Sequence, residues 1–215
     1  IARQEVTRGG LDDAEARKYM NRLSRDNVAQ LVVLDVVKNS SNGNNSSRAR
    51  SSVCIVNTHL YSNVQRADVK LWQTVNLLRE VRQFVVPRDL PVMLCGDFNS
   101  EPESAVYEYL MNGVVNSSRP ELVECNSTSN GGVRILPDLH RLTHDLDLTS
   151  VYNATLGREP DFTNYTARFK GTLDYIYFSP NRLRVVACAA LPEEAQLRSG
   201  SGEGLPSAVY PSDHL

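Results

Sequence analysis

An amphipathic stretch set between two short apolar runs constrains this chain most. From Asp68 to Val86, Leu71, Val75 and Leu78 recur at helical spacing, Trp72 and Val85 widen the stripe, and Pro87 ends it. Asp68 reads as its N-cap. Val53-Cys54-Ile55-Val56 precedes the stretch and Val92-Met93-Leu94-Cys95 follows it, both of strand length. Val28 to Val37 is a further β-branched run, joined to 53–56 by a polar loop, which predicts an antiparallel pair.

The remaining segments are shorter. Residues 11–22 are rich in helix formers, and Glu103 to Met111 predicts a second short helix with Gly113 as its C-terminal breaker. Leu173 to Phe178, stopped by Pro180, and Leu183 to Leu191 predict two more strands, while 112–150 read as irregular. The stretch 39–52, rich in Asn and Ser, cannot bury apolar surface and reads as a flexible polar loop inside one domain spanning 1–215. Strands alternating with helices, with hairpin-like pairs at both ends, predict an α/β or α+β layered domain with a mixed sheet.

A chain of 215 residues, 41% hydrophobic and 22% charged, is not a disordered tail. Its net charge of −2 excludes a uniformly basic surface but not a local basic groove. No apolar run reaches the roughly 18 residues that span a bilayer. Cys54, Cys95, Cys125 and Cys188 form no CxxC pair and read as buried free thiols, which suits a reducing, cytoplasmic or nuclear setting.

Four polar segments stand at strand ends or near the terminus: Asn57-Thr58-His59-Leu60, Gly96-Asp97-Phe98-Asn99, Thr172-Leu173-Asp174-Tyr175 and Ser212-Asp213-His214. Taken singly, each also reads as a turn or a satisfied polar group. Together they supply what phosphodiester hydrolysis needs. Carboxylates can hold a divalent metal or deprotonate a water. His59, His214 and Asn99 can donate to phosphate oxygens. His140 and His144 are four apart, but Arg141 stands where a zinc protease helix needs Glu and Pro137 argues against a long helix, so zinc is set aside there.

The order NTHL, GDFN, LDY, SDH resembles the endonuclease/exonuclease/phosphatase superfamily. That resemblance implies the deoxyribonuclease-I-like fold, two sheets in a sandwich flanked by helices. The stretches 25–28, 68–73, 162–166 and 169–176 narrow it to carbon-catabolite-repressor-type poly(A) deadenylases. The resemblance implies that Asp97 activates the attacking water, that Asn99 and His59 contact the scissile phosphate, and that Asp213 lies at the metal centre. It further implies that His214 stabilises the transition state with Asp174 bonded to it, that Phe169 stacks an adenine, and that Asn57 helps bind substrate. Val64 stands where animal and fungal members carry a Pro against the base, and Asn63-Val64 is closer to the plant members.

The implied cofactor is Mg²⁺, one ion or two, with Mn²⁺ as a substitute. The implied partners are poly(A) RNA and proteins of a deadenylase complex; a membrane is not among them, and a monomer is the default. The family's metal-binding Glu has no clear match. Glu5 lies 21 positions before Asp26 and follows Ala2-Arg3 rather than an apolar strand, so it is set aside. The chain is therefore expected to be the C-terminal part of the domain, its N-terminal part missing, and without the strand that should follow His214. The expected activity is 3′→5′ exoribonuclease shortening of poly(A) tails. The alternatives are a nucleotide 2′-phosphatase, a DNA-repair endonuclease or an inositol-phosphate phosphatase of the same fold, or a non-catalytic nuclease-derived binding module.

Overall fold

A computed structural model of the chain describes residues 13–36, 51–116, 118–120, 122, 142–198 and 204–215. Its centre is a five-stranded mixed sheet. β1 (Ala29–Val36) runs antiparallel to β2 (Ser51–His59), as the β-branched runs predict. β2 pairs in parallel with β3 (Val92–Asp97), because the helix α2 (Ala67–Val85) carries the chain back over one face. β7 (Asp174–Phe178) pairs antiparallel to β3 and also to the two-residue β4 (Thr149–Ser150), giving the order β1-β2-β3-β7-β4. A second, two-stranded sheet joins β5 (Asn164–Tyr165) to β6 (Lys170–Gly171). The architecture is the α/β fold expected from the sequence.

Strand alternation decides which face is dry. Cys54, Val56, Leu94, Tyr175 and Tyr177 are buried, facing Leu71, Leu78 and Val81 of α2 and Leu110 of α3 (Ala105–Asn112). Asn57, His59, Asp97 and Asp174 project from the other face. Gly96 holds β3 close to β2: at its φ of +145° a Cβ would lie 1.8 Å from the Thr58 carbonyl oxygen.

The helix ends refine the sequence reading. α3 begins two residues later than expected, because Ser104 caps it by accepting from the Tyr107 N–H at 3.2 Å, and Gly113 ends it in the left-handed region. Asp68 is not the N-cap of α2. Arg66 takes that place, and Asp68 lies buried in the first turn, paired with Arg22 of α1 (Asp13–Leu23) at 2.8 Å. The expected strand over 183–191 has no ladder among the described residues. Val186 there is 88% exposed and Cys188 is exposed, so the reading of the thiols as buried holds for Cys54 but not for Cys188. Cys95 is half-buried, and Cys125 lies outside the described residues.

Of the polar loop 39–52, Ser51 and Ser52 belong to β2 and the rest lies outside the described residues, as do Glu5 and His140. His144 has its Nε2 2.7 Å from the Tyr109 carbonyl, inside the packing of α3. The short helices α4 (Val151–Leu156) and α5 (Glu194–Leu197) carry no apolar periodicity long enough to be read. No helix among the described residues is long and apolar enough to cross a membrane.

Candidate active site

Register builds the site. His59 pairs with Asp97, and Asp97 pairs with Asp174, so one rung across β2, β3 and β7 ends in three ionisable side chains. The His59 Nε2 is 3.3 Å from Asp97 Oδ2, with His59 two-thirds exposed. Asn57 lies one row back on the same face and is exposed.

The turn after β3 shapes the second layer. Asn99 adopts φ 46°, and its N–H donates to Asp97 Oδ1 at 2.8 Å. Its side-chain amide donates to the Leu60 carbonyl at 2.9 Å and reaches Asp97 Oδ2 at 3.3 Å. That amide must release one of these acceptors to bind a phosphate. Lys70, buried on α2, donates from Nζ to the Asn99 carbonyl at 2.5 Å and pins the turn from below.

Ser212-Asp213-His214 reaches the rung by pairing with β5. The Tyr165 N–H donates to the Asp213 carbonyl at 3.1 Å and the Leu215 N–H to the Thr163 carbonyl at 2.8 Å. His214 then sits with Nδ1 2.8 Å from Asp174 Oδ2 and Nε2 3.9 Å from Asp97 Oδ2. The buried Thr163 hydroxyl donates to Asp174 Oδ2 at 2.6 Å and accepts from the N–H groups of Leu173 and Asp174. Asp213 Oδ2 accepts from Asn164 at 3.4 Å.

Burial raises the proton affinity of Asp97, and the charge of Asp174 adds to it; the Asn99 N–H and the two histidines oppose. For His214, burial disfavours the charged ring. The hydrogen bond to Asp174 and the charges of Asp174, Asp97 and Asp213 outweigh that and raise its pKa. Ligand atoms of Asp97, Asp174 and His214 all lie within 4.8 Å of one another, close enough to hold a metal ion, and Asp213 stands outside that group.

A cleft of 710 Å³ opens beside this centre, lined by Asn99, Asp213, His214, Phe169, Val64 and Lys70 among others. Thr166 and Phe169 close the β5–β6 turn, the Thr166 N–H donating to the Phe169 carbonyl at 2.7 Å. Gly171 gives the ring its seat, since a Cβ there would lie 2.7 Å from Phe169 Cζ. Val64, 82% exposed, stands at the lip. The structure thus gathers His59, Asp97, Asn99, Asp174 and His214 at one centre, Asp213 beside it, and Phe169 and Val64 along the cleft.

Sequence reasoning assigned no role to Thr163, Lys70 or a relay of amides behind His59. In that relay Asn27 donates to the His59 carbonyl at 2.9 Å and Gln73 donates to Asn27 at 3.1 Å. The Tyr61 N–H donates to Gln73 at 2.9 Å. Asn27, Thr163, Lys70 and Gln73 all fall inside stretches that carry the resemblance, the one signal that could have pointed to them.

Known proteins resemble this chain over nearly its whole length. The sequence profile described as the Endonuclease/Exonuclease/phosphatase family matches residues 23–214. The chain belongs to that family. It is 34% identical over 232 residues to the carbon catabolite repressor protein 4 homolog 1 of Arabidopsis thaliana, covering 100% of this chain and 37% of that relative. It is 32% identical over 203 residues to the human 2′,5′-phosphodiesterase 12, covering 90% of this chain and 28% of that protein. Among solved structures, ANGEL2, described as a 2′,3′-cyclic phosphatase and bound to adenosine-2′,3′-vanadate, superposes with a TM-score of 0.65 at 31% identity. That match covers 89% of this chain and 60% of that one. This member of the family thus spans well under half the length of the curated relatives it matches.

Proposed function

We propose that this chain carries the hydrolytic centre of a metal-dependent phosphodiesterase that shortens RNA from the 3′ end, with poly(A) tails as its substrate. The observation that carries the reading is the single rung His59–Asp97–Asp174, met by His214 at one end of a cleft whose other end holds Phe169. The 34% identity to a carbon catabolite repressor protein 4 homolog supports the choice of substrate. The 30% identity to a CCR4-NOT transcription complex subunit 6-like protein of Danio rerio supports a setting among deadenylase-complex proteins.

Asp97 is the base. Burial, with the charge of Asp174 beside it, makes it a better proton acceptor than a free aspartate. His214, whose hydrogen bond to Asp174 favours the charged ring, donates to the oxygen on which charge develops. His59 and Asn99 approach the same phosphate from the other strands, Asn57 supports substrate from one row back, and Val64 flanks the base stacked on Phe169. Mg²⁺, or Mn²⁺ in its place, takes hard oxygen ligands and keeps several waters. Asp97 and Asp174, whose ligand atoms lie within 4.8 Å of each other, supply such oxygens and would hold it, with Asp213 beside them. When bound, the ion neutralises charge on the phosphoryl oxygens.

Trimming of a labelled oligo(A)-tailed RNA in Mg²⁺ by the full-length protein, beside an oligo(U)-tailed control, tests the reading. The A tail shortens stepwise, and Asp97→Ala lowers the rate by about 10² to 10⁴. Unchanged cleavage in that variant refutes the assignment. A second reading, a 2′-directed nucleotide phosphoesterase, is favoured by the similarity to 2′,5′-phosphodiesterase 12 and ANGEL2. A 2′,5′-linked oligoadenylate that outcompetes the 3′,5′ tail would favour it.

A further inference from the structure

We propose that Glu101 reads the edge of the base held against Phe169, selecting a base that presents an amino donor and disfavouring uracil. The inference rests on the reading of this cleft as a nucleotide site and names what that site discriminates.

Glu101 follows the Asp97–Asn99 turn, and its carbonyl accepts from the Ser104 N–H at 2.9 Å, so its backbone is fixed at the entry to α3. Its side chain is exposed and lines the same cleft as Phe169, Asp213 and His214. Gly171 brings carboxylate and ring together. The point where a Cβ would stand is 3.0 Å from Glu101 Oε1 and 2.7 Å from Phe169 Cζ. A carboxylate therefore sits at the rim of the Phe169 ring, the one Phe, Tyr or Trp side chain among the described residues lining this cleft.

A negative group in a cleft for a polyanion repels the substrate unless something on that substrate donates to it. The phosphate belongs at the Asp97–His214 end; what reaches Glu101 is the edge of a base lying on Phe169. An ionised carboxylate only accepts. Adenine offers its N6 amino group, and guanine and cytosine offer amino groups of their own. Uracil offers one N–H flanked by two carbonyl oxygens, which a carboxylate repels. A hydrogen bond to a charged group is stronger than a neutral one, so its loss at this exposed site lowers affinity about tenfold.

The test swaps a single group on the base. Tails ending in adenosine or in purine riboside, which lacks only the 6-amino group, are compared on the full-length protein for rate of shortening. AMP, purine riboside 5′-monophosphate and UMP are compared for equilibrium binding. The native protein favours adenosine over purine riboside about tenfold, Glu101→Leu abolishes that ratio, and Glu101→Gln, whose amide can still accept, keeps part of it. No preference in the native protein, or a preference that survives Glu101→Leu, overturns the inference. Preference in nucleotide binding without shortening of any tail upholds it while sinking the RNA-tail reading. Shortening of both tails at equal rates does the reverse.

Discussion

A single histidine shows how much the rung depends on its neighbours. His214 sits between two carboxylates, bonded to Asp174 through Nδ1 and facing Asp97 through Nε2. Its pKa is raised above the ordinary 6.5: burial works against the charged ring and is outweighed by the bond and charge of Asp174. A raised pKa means that the folded protein holds this proton more tightly than the unfolded chain. The stabilisation is complete below the unfolded value and is lost as pH rises through the folded one. In metal-free protein, Asp174→Asn lowers the His214 pKa and removes the loss of stability that accompanies deprotonation of His214 as pH rises above the ordinary 6.5. NMR titration of the imidazole, with melting at several pH values, checks both. An unmoved titration would show that Asp174 does not hold the charge. Asp174 and His214 were legible in the sequence because each lies in a short motif. The amides of Asn27 and Gln73 were not, since their meaning is a pairing 46 residues apart that only the fold creates.

Elements that carry their own periodicity could be read, and elements that need a partner could not. The stripe of α2 and the apolar run of β3 announce themselves locally. The 183–191 segment has strand composition, yet without a neighbouring ladder among the described residues composition makes no strand. β5 and β6 are two residues each, too short for any pattern to show. The start of α2 shows the same limit. An Asp at a helix start suggests a cap, but here Arg22 arrives from α1 and turns it into a buried ion pair, side chains 10% and 1% exposed. The second oxygen of Asp68 has no hydrogen-bond partner among the described residues, so the pair already stands at the edge of being satisfied. Arg22→Met leaves an uncompensated buried charge and costs about 3 kcal/mol or more; Arg22→Met with Asp68→Leu recovers most of the loss. Urea denaturation of the two variants decides it. Equal stability of the single variant and the native chain would mean that Asp68 is reached by water.

Seen across the whole molecule, the sheet has two unlike faces. α2 and α3 cover one of them, and the Cys54, Val56, Leu94, Tyr175 and Tyr177 side chains on it are dry. On the other, chemistry gives way to apolar surface along the strands. Behind the rung of His59, Asp97 and Asp174, the register sets Cys95 beside Ile176 and aligns Val32, Ile55 and Met93. Val32 is 40% exposed, Leu34 50% and Ile176 40%. Burying such side chains is worth about 25 cal/mol per Å², so a contiguous strip of them is a surface that other apolar groups will seek. The 215-residue chain on its own therefore binds a hydrophobic dye. Val32→Thr with Leu34→Thr weakens that signal, because both side chains lie on the open face, while the unfolding free energy moves by no more than about 1 kcal/mol. Dye fluorescence and urea melts of the two chains are the measurements. A large drop in stability with the dye signal unchanged would mean that β1 is packed on both sides. The rung would then stand at the edge of a closed interior and not at the end of an open face.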